Sequence, residues 1–236
     1  FADDGHNSRG GKGTYTGYGP IWAKVSMGPF RIYKGWVAEG GISSPLIDSG
    51  PGVKGAGGLN KKAVLHVTDI APTILELAGI QQPSTYKGRE IEPIQGKSWV
   101  GMLEGDTQSP RTSDDWLGWE LFGNRAIRQG DWKITWLYEP LGSEDWQLFN
   151  LAKDPGEEFD LSDQFPEKRQ ELIALWGEYV KTNGVIIGAR SPFEQASKHL
   201  PNRVPESDNY PPVRGMEAIP YKKLLQLMSG STEDKK

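Results

Sequence analysis

The stretch WLGWELFGNRAIRQGDWKITWLYEPLGSEDWQLF, from Trp116 to Phe149, decides the fold of this sequence. Apolar and polar residues alternate in four short runs of it, at 119–122, 125–128, 132–137 and 146–149. Gly123-Asn124 and Gln129-Gly130-Asp131 separate the first three runs, and both segments are rich in turn-forming residues. The pattern predicts an antiparallel meander of about four strands.

Two amphipathic helices are predicted on either side of this meander. The longer one covers Pro166 to Val180 and ends at Asn183-Gly184, since glycine commonly follows a helix C-terminus. The other begins at Thr68-Asp69 as its N-cap and ends before Gly79. Its broad apolar stripe consists of Ile70, Ile74, Leu75, Leu77 and Ala78.

The remaining segments give weaker patterns. Residues 1–30 carry scattered glycines without a period and are predicted to form a long loop. Apolar residues at 30, 32, 33, 36 and 37 have nearly helical spacing and predict a helix over Phe30–Glu39, which Gly40-Gly41 would stop. Four further predictions are a strand over 44–48, a helical turn over 98–103, a Pro-rich irregular region from 188, and a short helix over 221–228.

Composition excludes several classes of function. The 236 residues contain no Cys, which rules out disulfides, thiolate nucleophiles and Cys-ligated zinc. A net charge of −4 argues against a general nucleic-acid binder. The sequence contains no run of 18 apolar residues, so no membrane span is predicted. Gly50 to Gly55 matches G-x-G-x-x-G, but no helix opens at its end, and Gly96-Lys97-Ser98 lacks the earlier glycine of a P-loop.

Three short segments carry candidate site residues. Asp3-Asp4-Gly5 could direct two carboxylates at one hard cation, although such a sequence is more often a plain turn. His6 beside it could contact an anion or simply be solvated. Lys34 lies among aromatic residues, where it could bind an anion or extend from a helix surface into water.

The order of the motifs resembles the C-terminal half of type I sulfatases, in particular bacterial arylsulfatases. The resemblance covers about residues 1–187, and we could match nothing beyond them. It is carried by Phe1-Ala-Asp-Asp-Gly5, Tyr18-Gly-Pro-Ile-Trp-Ala23, Phe30-Arg-Ile-Tyr-Lys-Gly-Trp36, Glu39-Gly-Gly-Ile-Ser-Ser-Pro45, Val67-Thr-Asp-Ile-Ala-Pro-Thr-Ile-Leu-Glu-Leu-Ala-Gly79, Gly96-Lys-Ser-Trp99, Gly118-Trp-Glu-Leu-Phe122, Arg125-Ala-Ile-Arg-Gln-Gly-Asp-Trp-Lys133 and Leu148-Phe-Asn-Leu-Ala-Lys-Asp-Pro-Gly-Glu157.

The resemblance implies an α/β fold, namely the C-terminal part of an alkaline-phosphatase-like fold with a small antiparallel sheet packed on a long helix. We expect the C-terminal part of a catalytic domain over 1–105, a subdomain over 106–187 and an irregular extension over 188–236. Phe1-Ala2 resembles the end of a strand whose beginning lies upstream, so we expect the sequence to be part of a longer protein.

The resemblance also implies a sulfuric ester hydrolase. Asp3 and Asp4 match ligands of one divalent cation, Ca²⁺ or Mg²⁺, and Lys34 matches a lysine that contacts the sulfate, with His6 as a second substrate contact. Asp4 stands where relatives have Asn, which changes the charge at the metal. Ser43 is assigned no role. The nucleophile, a formylglycine, is expected upstream because neither Cys-x-Pro-x-Arg nor Ser-x-Pro-x-Arg occurs here, so the segment alone is expected to be inactive.

Two alternatives remain open at this point. One is a phosphate or phosphonate ester hydrolase of the same superfamily. The other is a non-catalytic carbohydrate-binding β-domain, which the nine tryptophans favour and which requires a row of exposed indoles. We expect instead that most of four tryptophans are buried, namely Trp119, Trp132, Trp146 and Trp176. The expected partners are a small or glycan sulfate ester and the N-terminal half of the same protein, and a periplasmic or secreted location is slightly favoured.

Overall fold

The computed structural model describes residues 19–54, 58–60, 63–139 and 141–186. They form two compact units, which we call the sheet unit (19–43 with 116–186) and the helix–hairpin unit (44–115). The predicted extension over 188–236 and its helix over 221–228 lie outside the described residues. The predicted boundary between a catalytic part and a subdomain at residues 105 and 106 stays a prediction, because compactness does not reveal where activity lies.

The sheet unit contains the predicted meander. Its four strands are β3 (Trp116–Leu121), β4 (Asn124–Gln129), β5 (Trp132–Trp136) and β6 (Trp146–Asn150), antiparallel and adjacent in chain order. The β3–β4 turn lies at Phe122-Gly123, one residue earlier than predicted. Both residues have positive φ, 54° and 82°, as a two-residue hairpin turn of type I′ requires.

Helix α5 (Pro166–Asn183) covers one face of this sheet. Leu172 and Trp176 of the helix pack with Ile127, Ile134 and Leu148 of the strands, and all five are buried. The helix ends at Gly184, whose φ of 59° is the left-handed conformation that glycine adopts readily. The predicted sheet, the predicted long helix and their packing are therefore confirmed.

The opposite face of the sheet is covered by a loop from the N-terminal side of the chain. Ile32, Val37 and Ala38 of this loop pack with Ala126 and Leu137. No helix forms over 30–38. The helix α2 (Glu39–Ile42) begins where the predicted helix should end, and it contains both glycines that should have stopped it.

A third helix in this unit, α1 (Gly19–Met27), was not expected, since residues 1–30 were predicted to be loop. The Gly-Pro pair at its start and the glycine after its end hid it in the sequence. Residues 1–18 lie outside the described part.

The helix–hairpin unit contains a 3₁₀ turn (Val67–Asp69), α3 (Ile70–Leu77), the hairpin of β1 (Thr85–Tyr86) and β2 (Arg89–Glu90), and α4 (Val100–Leu103). The predicted helix and helical turn are confirmed, but the predicted strand over 44–48 is wrong. These residues are exposed, and the short apolar pair at Leu46-Ile47 pairs with no strand among the described residues. Among the described residues, no helix is both long and apolar enough to cross a lipid bilayer.

Candidate functional site

Of the four predicted site residues, only Lys34 lies in the described part of the chain. Asp3, Asp4 and His6 lie outside the described residues, so their predicted roles stay predictions. Lys34 is exposed and forms a turn with Gly35, whose φ is 102°. Within the described ranges, no three His, Cys, Asp or Glu side chains are grouped so that they could hold a metal ion.

The segment that carries Lys34, residues 30–42, folds back on itself through close contacts between its own backbone atoms. The Gly40 amide donates a hydrogen bond of 2.9 Å to the Arg31 carbonyl. A Cβ on Gly40 would lie 2.4 Å from the Ile32 carbonyl oxygen, and one on Gly41 would lie 2.0 Å from that of Trp36. Glycine is therefore required at both positions for the segment to fold back on itself. This close approach explains why a helix over 30–39 does not form. We call residues 30–42 the Lys34 loop.

A buried group of three charges lies beneath the end of this loop. The Lys133 ammonium is 2.7 Å from a carboxylate oxygen of Glu39 and 2.9 Å from one of Glu157. The other Glu157 oxygen accepts a hydrogen bond of 2.9 Å from the Glu39 amide. The Lys133 and Glu157 side chains are fully buried, and that of Glu39 is 9% exposed. We call these three residues the buried ion cluster.

Arg31 attaches the start of the Lys34 loop to the sheet unit. Its guanidinium donates to the Gln147 side-chain oxygen at 2.8 Å and to the Leu141 carbonyl at 3.2 Å. It also lies over the Phe149 ring, 5.4 Å from the ring centre. Burial lowers the pKa of Arg31, and the Glu157 carboxylate counteracts that effect. The Lys34 turn is thus flanked by the half-buried Arg31 contacts on one side and by the buried ion cluster on the other.

This arrangement presents one cation on a braced turn. A fixed backbone lowers the ordering cost when this side chain meets an anionic group, which favours binding. Sequence reasoning missed the residues that supply the bracing. Lys133 stands in a run that alternates apolar and polar residues, where a lysine reads as an outward-facing side chain, so only its distant partners reveal that it is buried.

The helix–hairpin unit has its own buried charged centre at Asp69. Both oxygens of this fully buried carboxylate accept bonds from the Arg111 guanidinium, at 2.5 and 2.7 Å. They also accept bonds from the His66 and Lys97 amides. Burial alone would raise the pKa of Asp69, but the bonds from Arg111 and the two amides outweigh it and lower the pKa.

The same contacts define the start of α3. His66, and not Thr68, caps the 3₁₀ turn that precedes the helix, with its ring accepting from the Thr68 amide. Burial lowers the pKa of the His66 imidazole. Gly96 passes so close that a Cβ there would lie 2.0 Å from the Thr68 carbonyl oxygen. Gly96-Lys97-Ser98 is therefore a packing segment against the helix start.

The apolar stripe of α3 does not face a core within its unit. Thr73 is the one buried residue of α3, whereas Ile74 and Leu77 are 59% and 63% exposed. Val67, Ile70 and Ile80 extend this exposed surface at both ends. We call these five residues the α3 face.

The nine tryptophans, all of which lie in the described part, form no exposed row. Trp22 is the only exposed one. Trp176 is buried, and Trp119, Trp132 and Trp146 are half-buried among the side chains of the two cores. The arrangement that a carbohydrate-binding β-domain requires is therefore missing, although fewer of the four are fully buried than predicted.

Comparison with known proteins gives one consistent family. Residues 28–175 match the family described as "N-sulphoglucosamine sulphohydrolase, C-terminal". An uncharacterized sulfatase of Schizosaccharomyces pombe is 35% identical over 188 residues, which are 79% of this chain and 33% of that protein. The Klebsiella aerogenes arylsulfatase is 36% identical over 110 residues, which are 46% of this chain and 24% of that protein. The chain thus spans about a third or less of the length of these relatives.

Solved structures also match parts of the chain. One of a putative sulfatase from Bacteroides thetaiotaomicron is 25% identical, with a TM-score of 0.37 over 53% of this chain and 27% of that one. Another, solved with its substrate D-glucosamine-2-N,6-O-disulfate, is 24% identical, with a TM-score of 0.35 over 48% of this chain and 23% of that one.

Proposed function

We propose that this chain, which belongs to the sulfatase family, is the C-terminal part of an enzyme that hydrolyses sulfate esters. The observation that carries the proposal is the family match, which covers residues 28–175 and so includes the whole Lys34 loop. The resemblance of the sequence motifs to sulfatases is confirmed by that match and by the relatives. The activity itself is our inference, because this chain matches only about a third or less of the length of these relatives.

Lys34 is the proposed contact to the sulfate group. Its exposure leaves the ammonium accessible to a ligand, and the contacts of Arg31 and Glu39 hold both ends of the loop from which it extends. A positive charge fixed beside the sulfate oxygens stabilises the negative charge that they carry as the S–O bond breaks. A planar guanidinium would not reproduce the position of a compact ammonium at such a site.

Asp3 and Asp4 are the proposed ligands of one divalent cation. His6 is the proposed second contact, beside Lys34, to the sulfate group. Carboxylate oxygens are the donors that Ca²⁺ and Mg²⁺ prefer, so the chemistry of this pair fits either ion. When bound, such a cation would neutralise part of the sulfate charge. The second carboxylate, in place of an amide, adds negative charge that favours cation binding.

The nucleophile is proposed to come from outside these 236 residues, as a formylglycine. The chain contains no Cys, and no Ser in it stands in Ser-x-Pro-x-Arg. A lysine and a cation can bind and polarise a sulfate ester, but covalent catalysis needs an activated nucleophile. We therefore expect the 236-residue chain alone to hydrolyse no sulfate ester.

The exposed α3 face supports a further part of the proposal, namely that the N-terminal half of the same protein covers it. Contiguous exposed apolar surface commonly marks an interface. Here the relatives carry about two thirds of their length outside the matched region, which is ample to supply a partner. Burial of one Ile or Leu side chain contributes about 1.5–3 kcal/mol, so covering the face would stabilise the whole protein.

The test is an assay of the protein encoded by the complete reading frame beside the 236-residue chain. Three substrates are compared: an aryl sulfate, the phosphate ester of the same aryl group, and an N-sulfated glucosamine. We expect the complete protein to release sulfate and the chain alone to release none. Preferential hydrolysis of the phosphate ester would instead favour a phosphate ester hydrolase, and no hydrolysis of any sulfate would contradict the proposal.

A further inference from the structure

The buried ion cluster holds the end of the Lys34 loop by two different atoms of one residue. The Glu39 carboxylate meets the Lys133 ammonium at 2.7 Å, and the Glu39 amide donates to Glu157 at 2.9 Å. Lys133 also attracts Glu157 from 2.9 Å, so it fixes both carboxylates at once. Glu39 is only five residues after Lys34 along the chain. The end of the loop is therefore bonded to a side chain 94 residues after Glu39.

A buried cluster of this kind is poorly explained by stability alone. Removing charges from water is costly, and apolar side chains of similar size commonly stabilise a fold as well or better. Apolar contacts of Val37 and Ala38 already attach the loop to the sheet. Apolar contacts tolerate several orientations of the loop, whereas ion pairs and hydrogen bonds are satisfied in a narrow range of geometries. The buried ion cluster can therefore fix the orientation of the loop.

We propose that Lys133 is a positioning residue for Lys34, a role that rests on the sulfate contact proposed for Lys34. Without the Lys133 ammonium, the Glu39 and Glu157 carboxylates would repel each other, and the end of the loop would move away from the sheet. Arg31 is a second cation near Glu157, and it would keep the start of the loop in place. The Lys34 turn would then be displaced and not unfolded.

The first test measures the loop directly in the protein encoded by the complete reading frame. Lys133→Met keeps an unbranched side chain that is one heavy atom shorter, and it removes the charge. Leu172→Ala is the control, since Leu172 is fully buried on the opposite face of the same sheet. Hydrogen exchange of the Glu39 and Gly40 amides, both of which are bonded in the structure, should accelerate at least about tenfold in Lys133→Met. In Leu172→Ala it should accelerate no more than exchange in the rest of the sheet unit.

The second test asks whether the displacement acts through Lys34. We expect Lys133→Met to lower kcat/KM roughly 10- to 100-fold, as misplacement by about 1 Å does. In a Lys34→Ala background the same substitution should lower it less than about threefold, because the group that it positions is already missing. If Lys133→Met fails to fold, Glu39→Gln replaces it. That variant keeps the shape and the backbone bond, and we expect the same pattern with smaller effects.

The outcomes separate this inference from the proposed function. If Lys34→Ala alone leaves kcat/KM unchanged, the sulfate contact is wrong and the positioning role falls with it, whatever the exchange rates are. If Lys34→Ala is deleterious but Lys133→Met lowers kcat/KM by the same factor in both backgrounds, the sulfate contact stands and the positioning role is overturned. Exchange that accelerates equally in Lys133→Met and Leu172→Ala overturns it as well.

Discussion

Asp69→Asn should destabilise the helix–hairpin unit strongly, although the substitution changes only one atom. The carboxylate accepts four hydrogen bonds, two from Arg111 and one each from the His66 and Lys97 amides. Asn offers one oxygen and places an NH₂ group against donors, so at least two bonds are lost. At about 1.5 kcal/mol for each bond to a charged group, the loss is about 3 kcal/mol. Breaking a buried ion pair costs about 3–5 kcal/mol, which agrees.

The measurement is the opening free energy of α3 and of the segment around Lys97, by hydrogen exchange at neutral pH. Asp145→Asn is the matched control. Asp145 pairs with Arg169 at 2.6 Å, but its side chain is 70% exposed, so we expect a loss below about 1 kcal/mol. Equal losses in the two variants would refute the reasoning from burial. Because the bonds lower the pKa of Asp69, its contribution should persist down to about pH 3.9 and disappear as the pH falls through the lower folded value.

Three further predictions concern other parts of the chain. Gly41→Ala should lower the free energy of unfolding by about 1–3 kcal/mol, because its Cβ would meet the Trp36 carbonyl oxygen. Gly177 lies on α5 with open space around it, so Gly177→Ala should raise the free energy of unfolding slightly in the same denaturant titration. Ile74→Ser should leave the 236-residue chain nearly unchanged but lower the melting temperature of the complete protein; equal shifts would contradict a covered α3 face. Since burial lowers the pKa of His66, stability should be full above about pH 6.5 and fall as the pH drops below it, and a pH titration of His66→Asn should lack this fall.

The sheet could be predicted from the sequence because its information is local. Each strand pairs with the next along the chain, so alternation and turn residues specify the meander without distant contacts. Local residues also mark the ends of α5, since Pro166 is its first residue and Gly184 is its C-terminal cap. Three of the nine motifs that carry the family resemblance lie in these strands and the turns that follow them.

The Lys34 loop could not be predicted, because distant residues fold it. Its apolar residues have helical spacing, yet Val37 and Ala38 are buried by residues of the sheet about 90 positions later. The two glycines that read as a helix stop are instead required for close backbone contacts. The buried ion cluster joins residues 94 and 118 positions apart, and no local pattern marks such a group.

The α3 face shows a second limit of the sequence pattern. Its periodicity predicted the helix correctly but could not reveal what the apolar side chains contact. Ile74 and Leu77 are exposed in this structure, so the described residues do not bury the apolar side of this amphipathic helix. The prediction for Asp3, Asp4 and His6 stays open for a different reason, since these residues lie outside the described part.

The most direct test of the central claim is the kcat/KM of Lys34→Ala for sulfate-ester hydrolysis by the protein of the complete reading frame. A charge-assisted contact in the transition state predicts a loss of about 10²–10³-fold, with metal content and stability nearly unchanged and only partial recovery in Lys34→Arg. Lys181→Ala, which removes an exposed lysine from α5, should change it less than about threefold. A change below about threefold for Lys34→Ala as well would contradict the account.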